Sequence, residues 1–324
     1  MATAVETPHF IRTIEWDMMD KSKFVPLSML SSFTIRCVLH PLSVIRTRIQ
    51  VQRHDQVYKG LADAWSKIYR YEGVPGLYRG FWVSTFQVAS GVLYISTYEG
   101  VRHALATNGV DNARAKSLAA GGCASLVSQT AVVPFDVLSQ HLMVLGVAGH
   151  GSSDRKVILN PLGLTLDPSR SRFQVTVDIA RRIYARDGLP GFYRGYVASL
   201  CAYVPNSALW WTFYHLYQEK LFAVFPSWVS QLFIQCVAGT LGGFTSTLLT
   251  NPLDIVRARL QVQGLDSMSK TFHILWTEER LRIFTKGLSA RMVQSCFFSF
   301  TIILGYETIK RVCINDEYRE YVRW

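Results

Sequence analysis

Charged residues are absent from long stretches of this chain and crowd into the segments between them. FWVSTFQVASGVLYISTY runs uncharged between Arg79 and Glu99, and SLAAGGCASLVSQTAVVPF between Lys116 and Asp136. No charged residue occurs between Lys220 and Asp254. Residues 24–45, interrupted only by Arg36, and residues 196–214 and 292–306 are similarly apolar. Uncharged runs of about 18 or more residues read as bilayer-crossing helices. The pattern predicts six of them, an all-α membrane protein. The last is the shortest, so its charged ends must lie near the interface.

The polar segments repeat. HPLSVIRTRIQ at 40–50 recurs as VPFDVLSQHLM at 133–143 and as NPLDIVRARLQ at 251–261. Further on, EGVPGLYRG at 72–80 is matched by DGLPGFYRG at 187–195 and more loosely by ERLRIFTKG at 279–287. A second apolar helix follows each, ending in YEGVR, YHLYQ or YETIK. Self-similarity at a fixed period defines the architecture. Each unit reads as helix, proline, basic segment, short amphipathic helix, glycine turn, helix. The chain divides into an N-terminal segment 1–22, repeats over 23–106, 113–222 and 228–312, and a tail 313–324. From proline to the base before the closing glycine is 38 residues in repeat one, 60 in repeat two and 34 in repeat three. Repeat two therefore carries an insertion at about 146–169, rich in Gly, Ser and Pro, which reads as a surface loop.

Composition agrees with a membrane protein: 324 residues, 49% hydrophobic and only 18% charged, with a net charge of +11. Lys and Arg number seven in 46–79, eight in 139–194 and seven in 254–291, against three in 100–116 and one in 215–253. The positive-inside rule puts the three long loops in one compartment and both termini opposite. Anionic lipid accounts for the excess charge without nucleic acid. The six cysteines are scattered with no C-x-x-C, so neither disulfides nor a metal site are expected. The N-terminus has no basic region leading into an apolar core, as a secretory signal would. No nucleotide loop, zinc motif or nucleophile elbow occurs, so no enzyme chemistry or cofactor is expected.

Three repeats carrying P-x-[acid]-x-x-[base]-x-[base] and then [acid]-G-x(4)-[aromatic]-[base]-G resemble the mitochondrial carrier family over nearly the whole chain. Within it, the IEW opening, RTRIQVQ, SLVSQ, RGYVASL, VPNSALWW and KGLSAR resemble the branched-chain amino-acid carrier subgroup. The resemblance implies a six-helix, pseudo-threefold barrel in the inner mitochondrial membrane, with both termini in the intermembrane space. It also implies a monomer, cardiolipin as a lipid partner, and a small-molecule substrate held at one central site with alternating access. Proline kinks would converge the odd-numbered helices at the matrix end, where acid and base pair between neighbours.

On that pattern Asp136 pairs with Arg257 and Asp254 with Arg46, braced by Gln50 and Gln261, with Met143 replacing the third glutamine. The third pair is lost from both sides: Ser43 stands for the acid and Ser139 for the base. Removing one partner of a buried pair strands a charge at about 3–5 kcal/mol, whereas removing both can be neutral. Restoring Ser43→Glu alone is therefore expected to harm function more than restoring both. The opposite gate draws on Glu99, Arg102, Glu307 and Lys310. His215 and Gln218 occupy the middle repeat's acid and base positions, so this gate should be weak. The turns at Arg79-Gly80 and Arg194-Gly195 resemble the family's cardiolipin-binding segments, while Arg280 and Thr285 depart from them.

The family's contact positions, seven residues after each closing glycine, fall on Gln87, on Ala202 with Tyr203, and on Gln294. None is charged, which disfavours nucleotides and tricarboxylates and favours a solute with one carboxylate. Tyr203, Asn206, Trp210 and Trp211 can supply an apolar wall with cation–π attraction to an ammonium; equally, the two tryptophans can serve as interfacial or lipid-facing anchors. Arg36 lies five residues before Pro41, at the level of Gln129 and Thr247 in the other repeats, and all three should face the axis. An arginine facing lipid costs at least about 2.5–3.5 kcal/mol, so Arg36 must face water or a partner.

Overall fold

The computed structural model describes residues 20–52, 57–108, 113–145, 171–226, 229–265 and 267–314. The insertion expected at 146–169, most of the two terminal segments, and the side chain of Glu307 lie outside them. Ten helices form among the described residues, joined by short 3-10 turns: α1 (Lys21–Val51), α2 (Leu61–Leu77), α3 (Phe81–Thr85), α4 (Ser90–Thr107), α5 (Ala113–Val144), α6 (Arg172–Asp187), α7 (Tyr196–Val224), α8 (Gln231–Gln263), α9 (Met268–Glu279) and α10 (Leu288–Val312). Each repeat contributes a long helix, a short amphipathic helix and a second spanning helix. The spanning helices close a ring: α1 touches α3, α4 packs on α5, α5 on α7, α7 on α8, α8 on α10, and α10 on α1. The ring is sealed where the Asp20 amide donates to the Cys313 carbonyl at 2.8 Å.

The long helices α1, α5 and α8 have 31, 32 and 33 residues. At 1.5 Å per residue that is roughly 45–50 Å, more than a bilayer core. Each runs through its conserved-spacing proline, Pro41, Pro134 or Pro252, without breaking. A proline leaves the carbonyl four residues earlier without its helical donor. At Pro41 the Tyr78 hydroxyl takes that carbonyl, of Cys37, at 3.1 Å. The residue before the proline adds a second tie. His40 Nε2 lies 2.9 Å from the Arg79 carbonyl, and Asn251 Nδ2 donates to the Phe284 and Lys286 carbonyls at 3.0 and 3.3 Å. Repeat two has Val133 there, which can make no such bond.

One predicted span differs. The segment after Arg79 is not continuous: α3 gives way to a 3-10 turn over Phe86–Ala89 before α4 begins. Four of the six spanning helices, α1, α5, α8 and α10, are apolar enough over their length to cross a bilayer by composition alone. α4 and α7 complete the ring through their packing on α5 and α8.

The glycine turns have a packing reason. Gly80, Gly195 and Gly287 all have positive φ (76°, 78° and 65°). A side chain would collide with the next repeat's long helix: the Ser139 carbonyl at 2.8 Å, the Gln261 side chain at 2.8 Å and the Gln50 side chain at 3.0 Å, respectively. The three turns thus brace the ring cyclically.

Candidate functional site

The long helices meet at the end that carries the amphipathic helices, and two ion pairs join them there. Arg46 of α1 donates through Nε to Asp254 Oδ2 at 3.0 Å, with Nη2 on the same oxygen. Arg257 of α8 pairs with Asp136 of α5. Both acids sit two residues after a proline and both bases five after, so each helix presents them on one face. Glutamines reinforce the acids: Gln50 Nε2 donates to Asp254 at 2.8 Å, and Gln261 Nε2 to Asp136 at 3.2 Å. Gln140, which the motif did not single out, also donates to Asp136 at 3.1 Å and to Gln261 Oε1 at 2.5 Å.

At the third junction Ser43 and Ser139 are hydrogen-bonded elsewhere, not to each other. Gln294 Nε2 donates to Ser43 Oγ at 2.8 Å, and Ser139 Oγ donates to the Gly80 carbonyl at 3.3 Å. Beside them, Thr47 Oγ1 of α1 donates to Met143 Sδ of α5 at 3.6 Å.

Beside the bridges lies a cavity of about 610 Å³. Arg36, Gln87, Tyr203 and Gln294 line it, along with both bridges and Ser43 and Ser139. Arg36 Nη1 donates to Gln87 Oε1 at 3.1 Å and to the Ser84 carbonyl. That carbonyl sits where α3 gives way to the 3-10 turn, and irregular backbone at membrane depth is tolerated where it lines a cavity. Gln87 Nε2 reaches Asp136 Oδ1 at 3.4 Å, and Arg46 Nη1 donates to Gln294 Oε1 at 3.3 Å. Each of these glutamines therefore touches one bridge.

Other expected site residues lie elsewhere. Gln129 and Thr247 do not join Arg36 on the cavity wall; Thr247 is buried, its carbonyl accepting from Arg291 at 3.3 Å. Ala202 is buried outside the cavity, and Asn206 accepts from Thr250 Oγ1 at 2.9 Å on the α8 side. Close α7–α8 packing claims the face that carries Asn206, and Arg291 of α10 meets Thr247. The tryptophans go the same way. Trp210 Nε1 donates to Ser299 Oγ at 3.3 Å, and Trp211 is exposed on the outer surface.

At the opposite end Glu99, Arg102 and His215 are exposed, Gln218 is half-buried and Lys310 is buried. No ion pair joins Glu99 or Arg102 to another described residue. His215 stacks on Trp211. At the glycine turns, the arginines are engaged internally: Arg79 pairs with Glu72 at 3.0 Å and Arg194 with Asp187 at 2.9 Å. Surface depressions open beside two of these turns among the described residues. One, of about 370 Å³, runs from Gly195 to Met268; the other, of about 320 Å³, is lined by Gly287, Lys59 and Arg282.

Two further buried arginines of the motif hold the repeats to one another. Arg48 binds Glu72 at 2.6 Å and the Met143 carbonyl of repeat two at 2.7 Å. Arg259 binds Glu278 and Glu279 at 2.9 and 3.0 Å and the Gln52 carbonyl of repeat one at 2.9 Å. The signal was present as the second base of P-x-[acid]-x-x-[base]-x-[base].

Residues 25–109, 111–224 and 229–317 each match the family model described as mitochondrial carrier protein. Solute carrier family 25 member 44 of Homo sapiens is 43% identical over 320 residues, covering 99% of this chain and 100% of the relative. Its Mus musculus counterpart is 41% identical over 327 residues, with the same coverage. Mitochondrial substrate carrier family protein J of Dictyostelium discoideum is 25% identical over 347 residues, covering 94% of this chain and 95% of that protein.

Proposed function

Because this chain belongs to the mitochondrial carrier family, and so is a multi-pass inner-membrane transporter of small molecules, we propose that its cargo is a branched-chain amino acid, leucine, valine or isoleucine, moved by alternating access. Arg36 supports this most. Among the described charges lining the cavity, it alone is not in an ion pair. Its guanidinium is held by neutral acceptors that a carboxylate outcompetes, and its planar fork suits a carboxylate bidentately. Ile35, Leu39, Val88 and Ile302 line the same cavity for an alkyl chain, and the rings of Tyr203 and Phe298 can face an ammonium. The sequence segments resembling the branched-chain carrier subgroup point the same way.

Substrate binding is tied to the gate in this reading. A carboxylate on Arg36 releases Gln87, whose amide also touches Asp136, and a solute reaching Gln294 loosens the amide on Arg46. Opening toward the loops then requires both bridges to part. We assign the closed end to the matrix and both termini to the intermembrane space, on the weight of Lys and Arg in the three long loops. Cardiolipin suits the depressions at Gly195 and Gly287, where helix N-termini offer amides to a phosphate.

One observation favours a second cargo. Three arginines and two aspartates line the cavity, leaving one positive charge in excess. A monocarboxylate anion without an ammonium, such as a branched 2-oxo acid, neutralises it. Uptake into proteoliposomes by the purified protein, against a panel of amino, 2-oxo and dicarboxylic acids and nucleotides, decides. Saturable uptake of leucine, valine or isoleucine is expected. Saturable uptake of a nucleotide with none of these three would overturn the assignment.

A further inference from the structure

Arg291 of α10 is a buried arginine that neither the gate motif nor the cavity uses. Its Nη2 donates to Thr250 Oγ1 at 2.8 Å and to Asn206 Oδ1 at 3.4 Å, and its Nη1 to the Thr247 carbonyl at 3.3 Å. Three helices, α7, α8 and α10, meet at this one guanidinium. Its Nε also lies 3.9 Å from Asp254 Oδ2, the oxygen that Arg46 and Gln50 hold. Asp254 thus has two guanidiniums and one amide around a single carboxylate.

The partners differ in what becomes of them when the gate opens. Arg46 and Gln50 both sit on α1 and leave together when α1 separates from α8. A buried carboxylate left without a cation is strongly disfavoured. Asp136 is less exposed to this, because Gln140 on its own helix and Gln87 stay with it. Asp254 has no such amide on its own helix among the described residues. Arg291 is fixed to α8, the helix of Asp254, by Thr250 and Thr247, and so moves with the acid.

We propose that Arg291 is the reserve counter-ion of Asp254: a positioning residue that takes over the carboxylate when Arg46 departs, so that the second bridge can open without stranding a charge. The competing view, that Arg291 only cross-links three helices, makes a different prediction for the same variants.

The test is a thermal-unfolding cycle on the purified full-length protein, which needs no substrate and so stands apart from the cargo assignment. Arg46→Gln imitates the opened bridge. Arg291→Gln is expected to lower the unfolding temperature by roughly 4 °C or more beyond its effect in the wild type when Arg46→Gln is already present. Adding Asp254→Asn removes the anion and should erase that excess. Arg291→Lys keeps the charge but not the fork, and in the Arg46→Gln background should restore most of the excess despite losing the bonds to Asn206 and Thr250. A uniform loss in all backgrounds, with Lys no better than Gln, would assign Arg291 to cross-linking and end the proposal. If Arg291→Gln does not yield folded protein, adding Asp254→Asn decides: recovery of folding supports the counter-ion role, and continued failure ends the proposal.

Discussion

Arg36 sits in a segment otherwise apolar from Phe24 to Ile45, and the structure gives it two occupations at once. It lines the cavity, and it holds the Ser84 carbonyl at the interruption between α3 and α4. Arg36→Ala should therefore lower leucine uptake by about 100-fold or more, the loss of two charge-assisted hydrogen bonds. It should also cost about 1 kcal/mol of stability by removing the charged donor to that carbonyl. Arg36→Lys should keep the stability and raise the half-saturation concentration, since an ammonium cannot make the bidentate contact. Uptake kinetics and unfolding on the same preparations separate the two effects; wild-type uptake by Arg36→Ala would remove Arg36 from the site. Arg280 makes a second case. Gly73 and Gly188 occupy this position in the other repeats with φ of 65° and 67°, and Arg280 adopts φ 47°, ψ −126° in their place. A side chain there costs about 1–3 kcal/mol, and glycine's entropy offsets up to about 1. Arg280→Gly should raise the unfolding temperature by roughly 2–4 °C.

Elements explain what the sequence revealed and what it hid. The long helices, their prolines and the two bridges were legible because acid and base recur at fixed offsets from each proline, and a helix turns fixed offsets into one shared face. Lateral packing was not legible. Thr247 and Asn206 lie at positions equivalent to cavity residues in other repeats, yet the α7–α8 interface takes them, because repeats of one pattern need not pack with one geometry. Nor did the sequence show the 3-10 turn at Phe86–Ala89, where no proline or glycine marks the change. The matched loss of Ser43 and Ser139 was visible; their actual partners, Gln294 and the Gly80 carbonyl, depend on tertiary contacts. Those partners sharpen the gate prediction. A carboxylate at position 43 lies one turn before Arg46 and displaces Gln294, drawing Arg46 from Asp254. Ser43→Glu should slow uptake about tenfold, or about 1.4 kcal/mol. Adding Ser139→Arg should recover at least part of it. Equal rates for the single and double variants would show that the third junction plays no part in gating.

For the whole molecule, the repeats must stay joined while the gates between them open and close. Hydrophobic burial alone discriminates poorly among helices in lipid, where tails are as apolar as the side chains. Directional polar contacts between repeats therefore matter more. Arg48 carries repeat one to the end of α5, and Arg259 with Lys286 carries repeat three to the end of α1. The equivalent position in repeat two is His141, and there the guanidiniums of Arg186 and Arg194 lie beside Gly264 at the end of α8 instead. Arg259 is almost wholly buried and its acids have little water to fall back on. Lys67 and Asp63, by contrast, pair at 2.8 Å on the surface with side chains 39% and 33% exposed. Water replaces a surface partner at a cost of about 0–1 kcal/mol, whereas an acid stranded in a buried cluster costs about 3–5. Lys67→Ala should hence shift the unfolding temperature by no more than about 3 °C, and Arg259→Gln should lower it by roughly 10 °C. Arg259→Lys should fall between them, keeping the charge on Glu278 and Glu279 but losing the reach to the Gln50 and Gln52 carbonyls. Unfolding curves of the three variants in one detergent are the measurement, and an Arg259→Gln shift as small as that of Lys67→Ala would mean the repeats are held together by packing alone.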